Sequence, residues 1–223
     1  GCGEGGNSVS FLMDKEHYSY PEALKYLAKK YNIEVVEEEM TTEQAEEANE
    51  KDSLYIISNF AKNFFIESLW ETDEGKNIAL NYFTERGYNK EIIEKFELGY
   101  NPKQKNIFTK AAITKSYSEE FIIKSGLGLK IDNRAVIDRF RERVMFPIHS
   151  FSGRVLGFGG RALNANAKAK YQNSPESLIY NKSKILYGIF FAKNSISKND
   201  NCFIVEGYTD VISLHQKGVE NVV

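Results

Sequence analysis

Residues 202–223 read CFIVEGYTDVISLHQKGVENVV. Cys202, Phe203, Ile204 and Val205 form an unbroken apolar run, the pattern of a short strand covered on both faces, with Cys202 as a small core residue. Glu206 and Gly207 follow at its carboxyl end. Val211, Leu214 and His215 then share one side of a helix expected over 208–217, Gly218 stops it, and residues 219–223 open a second strand. Strand, helix, strand in that order is a βαβ unit with parallel strands and a right-handed crossover. A parallel sheet needs more than two strands and cover on both faces, so the unit reads as the start of an α/β domain continuing beyond residue 223.

In open α/β sheets, function gathers at the carboxyl ends of strands. Glu206 stands there, beside a glycine that lets a ligand approach the backbone. Asp210 lies one helical turn on and faces the same end. Two carboxylates so placed suit a hard cation such as Mg²⁺, which takes oxygen ligands and keeps waters and substrate phosphates. They equally complement the positive end of a helix, and the pattern E-G-x-x-D leaves both readings open.

Upstream, VMFPI (144–148) and RVLGFGG (154–160) are short strand-like runs broken by Pro147 and glycines. They lie in a basic block: residues 130–184 carry eleven bases and four acids, a net of +7. Such a block beside Gly-rich turns and tyrosines is what a polyanion-binding surface requires, and also what a salt-laced solvated face looks like. Arg139, Arg141 and Arg143 alternate and are expected to share one face of a strand, turned to solvent, acids or phosphate. Arg161 follows Gly159-Gly160, where the backbone has room to approach a phosphate. Tyr171 is placed either to stack a base or to fill the rim of the core.

Nearer the N-terminus, helices are expected over 21–31, 54–70, 74–86, 89–96 and 118–125, with Gly87 and Gly126 as stops. The second of these shows one apolar stripe, Leu54, Ile57, Ala61, Phe64, Phe65 and Leu69. Residues 34–52 hold nine acids and one base and read as a solvated linker or exposed helix. His17, His149 and His215 have no spacing that suggests a metal site or a triad, and Gly157 and Gly159-Gly160 make no dinucleotide fingerprint.

Composition narrows the class. The 223 residues are 42% hydrophobic and 27% charged with a formal net charge of −2, which excludes a disordered, collagenous or disulfide-scaffold chain. No stretch approaches the roughly 18 apolar residues of a membrane span, and the N-terminus has no signal-peptide pattern. Cys2 and Cys202, far apart, suggest a reducing compartment.

Six strings together resemble the bacterial DnaG-type primase family almost end to end. RFRERVMFPI (139–148), GRVLGFGGRAL (153–163), KYQNSPES (170–177) and NKSKILYG (181–188) are similar to its polymerase-core signatures. VEGYTDV (205–211) resembles its first toprim motif, and the opening GCGEGG resembles the end of its zinc-binding module. The resemblance implies an α+β basic subdomain leading into an α/β toprim domain, truncated here and preceded by the tail of a zinc-ribbon-like module. The implied division is 1–38 for the end of the zinc module, 39–52 for an acidic linker, 53–200 for the basic subdomain and 201–223 for the start of toprim.

It also implies a job: template-directed synthesis of short RNA primers on single-stranded DNA from ribonucleoside triphosphates, in the bacterial cytoplasm at replication forks. By similarity Glu206 is the catalytic toprim glutamate, which holds Mg²⁺ (or Mn²⁺) or assists proton transfer, and Asp210 supports it. Arg161, Lys170, Asn173 and Lys182 match positions in the basic cleft that contact template or nucleotide phosphates, and Tyr171 and Lys95 join them as candidate template- or nucleotide-binding residues. Lys95 stands where such primases often carry Arg, so the charge is kept and the bidentate fork is lost. Cys2 matches the last thiolate ligand of Zn²⁺, but one thiolate cannot fill a four-ligand site, so Zn²⁺ belongs to an intact parent. The later toprim acids and a helicase-binding C-terminal domain are expected outside these residues, which leaves the fragment alone inactive. Two rivals remain: a nucleic-acid-binding module whose chemistry lies elsewhere, and toprim chemistry directed to strand cleavage.

Overall fold

In the computed structural model, which describes residues 7–16, 18, 20–34, 41–131, 135–164 and 166–223, a small helical pair leads into a 30-residue helix that backs an antiparallel sheet. The pair is α1 (Ser8–Lys15), capped by Asn7, and α2 (Tyr20–Lys30). α3 (Thr42–Glu71) starts in a capping box: Thr41 Oγ1 accepts from Gln44 N at 3.2 Å, and Gln44 Oε1 accepts from Thr41 N at 3.0 Å. The acidic stretch is thus helical from Thr42 onward. Its Glu, Ala and Gln residues are good helix formers, and Lys51 pairs with Glu47 one turn away at 2.6 Å. Further along, Leu54, Ile57, Ala61, Phe65 and Leu69 are buried on one stripe, while Phe64 is half-buried.

The chain reverses after Thr72. A π-helical turn (Gly75–Ala79) precedes α4 (Leu80–Glu85), and a Cβ at Gly75 would lie 2.1 Å from the Ser68 carbonyl oxygen, so only glycine allows this close return. α5 (Lys90–Lys95) and β1 (Gly99–Asn101) follow. α6 (Ile107–Thr114) was not foreseen; its N-terminal amides are held by the buried Asp138 carboxylate, which accepts from Phe108 N and Thr109 N, each at 2.9 Å. α7 (Glu119–Lys124), capped by Ser118, leads through the paired β2 (Gly128–Leu129) and β3 (Ile137–Asp138) to the main hairpin. That hairpin is β4 (Arg143–His149) and β5 (Val155–Ala162), joined by β6 (Tyr171–Asn173). α8 (Ile189–Asn199), also unforeseen, and α9 (Tyr208–Gln216) complete the order.

The sheet runs β1-β4-β5-β6, antiparallel throughout. Side chains along β4 alternate between two cores. Val144 and Phe146 pack with Phe83, Phe96, Val211 and Ile212, from α4, α5's C-terminal end and α9. Met145 packs with Ile57, Phe65, Phe108 and Phe158, from α3, α6 and β5. Both faces are therefore covered, which is why β4 reads as a continuous apolar run. Pro147 is tolerated because β1 pairs only as far as Met145, so no strand lies beside it on that side.

The arginine expectation fails. Residues 139–142 form a turn, so Arg139 and Arg141 share no strand face with Arg143. Arg143 is buried: Nη1 donates to the carbonyls of Gly160 (3.2 Å) and Lys170 (3.3 Å), and Nη2 to that of Ala169 (3.0 Å). It staples the β5–β6 connection instead of meeting solvent or phosphate. The glycines are also used differently. A Cβ at Gly159 would lie 2.3 Å from the Tyr208 ring, and one at Gly160 would lie 2.7 Å from Phe140. They make room for aromatic side chains.

The C-terminal βαβ path is present, with Phe203 bridging Val222 in parallel and Val205 N donating to Val223 O at 3.0 Å. The expected two-sided burial is not: Phe203 is 55% and Ile204 75% exposed, and Cys202 is exposed as well. Among the described residues nothing packs on the outer side of this segment. His215 is buried, with Nε2 3.3 Å from the Val222 carbonyl oxygen, and His149 is paired with Glu97 at 2.7 Å. His17 lies outside the described residues. Among those described, no helix is long and apolar enough to cross a membrane.

Candidate active site and nucleic-acid interface

A cleft of about 490 Å³ opens where the 203–206 segment meets β6 and the turn after it. Glu206, Tyr171, Asn173 and Lys182 line it, with Tyr208 and Thr209 at the start of α9. Four of the residues singled out from sequence, spread over 36 positions, therefore meet in one place. Glu206 is exposed and makes no hydrogen bond or ion pair among the described residues. Asp210, in the first turn of α9, is exposed too, and its carboxylate folds back over Gly207: a Cβ there would lie 2.9 Å from Asp210 Oδ2. Gly207 serves the approach of this carboxylate.

Tyr208, which sequence reasoning passed over, binds the two halves of the cleft together. Its ring lies on Gly159 and tilts against Phe146 at 5.7 Å and Tyr187 at 4.5 Å. Its hydroxyl donates to Asn173 Oδ1 at 3.0 Å, and burial raises its pKa. The signal for it was a glycine inside a strand, which marks a close approach by something large. Asn173 is thus a support for α9 as well as a wall of the cleft.

Lys182 sits in a short 3₁₀ turn (Lys182–Lys184) capped by Asn181, and its amide donates to Glu176 Oε1 at 3.0 Å, leaving the side chain exposed on the cleft. Arg161 stands one ring away from the cleft. Its guanidinium lies 5.5 Å from the Tyr171 centroid and 5.2 Å from that of Tyr82, and Nη1 donates to the Ala162 carbonyl at 2.5 Å. Lys170 is exposed beside them; its carbonyl accepts from Ala162 N at 2.9 Å.

Lys95 is not brought to the cleft. Its Nζ pairs with Glu220 at 2.5 Å, and this hydrogen bond holds the Glu220 carboxyl below its ordinary pKa. Arg154, another member of the basic block, pairs with Glu22 and lies 4.6 Å from the Tyr55 ring, joining α2 to α3. Cys2 lies outside the described residues. Glu206 and Asp210 are two hard oxygen donors flanking Gly207, a donor set that fits Mg²⁺ or Mn²⁺ with waters retained. Among the described residues no group of three or more His, Cys, Asp or Glu comes together as a metal site.

Residues 64–193 match the family model of the DNA primase catalytic core, N-terminal domain, and residues 1–43 match that of the CHC2 zinc finger. The DNA primase of Clostridium acetobutylicum is 42% identical over 224 residues, covering 100% of this chain and 36% of that protein. The chain thus spans about a third of the length of the curated relatives it matches. Among solved structures, a DnaG primase catalytic domain bound to ssDNA matches with a TM-score of 0.72 and 35% identity, over 78% of this chain and 54% of that one. The zinc-binding and RNA polymerase domains of Aquifex aeolicus primase match with a TM-score of 0.71 and 31% identity, over 100% of this chain and 52% of that one. With the catalytic-core model matched over more than half its length, this chain belongs to the bacterial DnaG-type primase family.

Proposed function

We propose that this chain supplies the template-gripping surface and the first catalytic acid of a primase that copies single-stranded DNA into short RNA primers. The observation that carries the reading is the position of Glu206: exposed, unengaged, and in the same cleft as Tyr171, Asn173 and Lys182. Glu206 holds the divalent ion, Mg²⁺ or Mn²⁺, and Asp210 supports it from the next helical turn. The ion, when bound, neutralises charge developing on the reacting phosphate. Tyr171 offers an exposed ring for base stacking, and Lys182, Lys170 and Arg161 offer cations to backbone or triphosphate oxygens. Asn173 keeps Tyr208, and with it the start of α9, against the sheet.

Ribonucleoside triphosphates are the substrates under this reading, and a replicative helicase is the partner, engaged outside residues 1–223. Zn²⁺ belongs to the N-terminal module, with Cys2 as its last ligand. Lys95 lies outside the cleft, paired with Glu220.

The test is ribonucleotide incorporation on a single-stranded template by the full-length gene product. Glu206→Gln removes the ligand charge and keeps the shape. It should cut incorporation about a thousandfold while leaving template affinity within a few-fold. Undiminished incorporation would remove Glu206 from the chemistry and overturn the reading.

A further inference from the structure

Arg86 lies at the C-terminal end of α4, outside every motif that the sequence singled out. Its guanidinium carbon is 4.9 Å from the Tyr82 ring centroid, and that of Arg161 is 5.2 Å from the same centroid. Arg161 then lies 5.5 Å from Tyr171, whose ring lines the cleft. Arginine and tyrosine therefore alternate, Arg86, Tyr82, Arg161, Tyr171, from the surface of α4 to the cleft wall. Neither guanidinium has a carboxylate partner among the described residues. Arg161 Nε is buried without a hydrogen-bond partner among them, while the Tyr82 hydroxyl lies against that of Tyr171.

Two like charges drawn to one ring raise the potential at each other, and the π faces hold them in place. The phenol cannot neutralise them: burial first, then Tyr171, pushes Tyr82 up to about 12 although both arginines pull it down. The cluster also lies within electrostatic reach of the acid end of the cleft. Tyr88, raised chiefly by burial, is lowered by Arg86 and raised by Asp210, and its hydroxyl donates to Thr209 O at 2.9 Å. Planar, unneutralised guanidiniums fixed by stacking are suited to phosphate oxygens.

We propose that Arg86 and Arg161, mounted on Tyr82, form a phosphate-binding pair that extends the cleft from Tyr171 onto the end of α4. The ligand is a phosphate group, either of a nucleic-acid strand or of a nucleoside triphosphate. The proposal rests on the functional reading above and adds Arg86 and Tyr82 to it.

The full-length protein is tested with two probes: a fluorescent oligo-dT strand across a KCl series, and a fluorescent ribonucleoside triphosphate at fixed salt. Arg86→Gln should weaken strand binding several-fold and flatten the plot of log K against log [salt] by about 0.7, the loss of one phosphate contact on a single strand. Arg86→Lys should restore the slope but not the full affinity. Weakened triphosphate binding with an unchanged strand slope identifies the triphosphate as the ligand of the same pair. Tyr82→Leu should reproduce Arg86→Gln, and Tyr82→Phe, which keeps the ring, should not. If Tyr82→Leu fails to fold, the exposed Arg86 carries the test, with an unchanged melting temperature as its control. Arg86→Gln indistinguishable from the parent on both probes overturns the pair and leaves the primase reading standing. Incorporation that survives Glu206→Gln sinks the primase reading and leaves the pair standing. A parent protein that binds neither probe overturns the pair as well.

Discussion

β4 and the segment 202–205 look alike as sequence and behave differently as structure. VMFPI and CFIV are both short runs of apolar residues. In β4 every residue from Arg143 to His149 is buried, because helices cover both faces of the sheet. In the C-terminal segment Phe203 and Ile204 are exposed, and among the described residues of this chain Val222 and its neighbours lie against it. An apolar run identifies a strand; burial is conferred by elements that arrive from elsewhere in the chain. The contrast also locates function. The covered sheet backs the cleft that Glu206, Tyr171, Asn173 and Lys182 line.

The contrast sharpens under substitution. Phe146→Ala deletes a ring buried between Phe83 and Tyr208 and should destabilise the protein by about 3–5 kcal/mol in urea unfolding. A loss below 1 kcal/mol would show that the backing is looser than described. A smaller effect is expected at Glu97, which ties α3 to β4. Burial pushes this carboxyl up, but His149 and Lys62 outweigh it and hold its pKa at about 2. The stabilisation is therefore complete above the ordinary carboxylate range and is lost as pH falls toward 2. Glu97→Gln should cost roughly 2–3 kcal/mol at neutral pH. The gap to the parent should close between about pH 4.5 and pH 2; a gap constant across that window would remove the ion pair from the account. The smallest effect belongs to the uncovered segment. Measured on residues 1–223 alone, Ile204→Ser should change stability by less than about 0.5 kcal/mol, since the side chain is 75% exposed there. A larger loss would mean that something covers it.

What the sequence made legible follows the range of the forces involved. Gly87, Gly126 and Gly218 end α4, α7 and α9 with positive φ values of 77°, 71° and 86°, an entirely local effect. The stripe of α3 and the short apolar runs of β4 and β5 are local as well. Glu206, Tyr171, Asn173 and Lys182 stand out because short motifs carry them, and the fold gathers them in one cleft. Missed features depend on partners far along the chain. α6 has no side-chain cap of its own and is held by Asp138, about 30 residues downstream. Arg143 looked like a surface cation, but its acceptors lie on the β5–β6 connection. Lys95 was drawn off by Glu220, 125 positions away. Tyr82 and Arg86 sit in no motif and gain their place only when α4 folds against Arg161.

Tyr208 has one consequence beyond geometry. It is fixed at one end by Asn173 on the strand that carries Tyr171, and its own backbone opens the helix that carries Asp210. Together with the bond from Tyr88 Oη to Thr209 O, this phenol couples the strand that carries Tyr171 to the helix that carries Asp210, so a shift of either element is felt by the other.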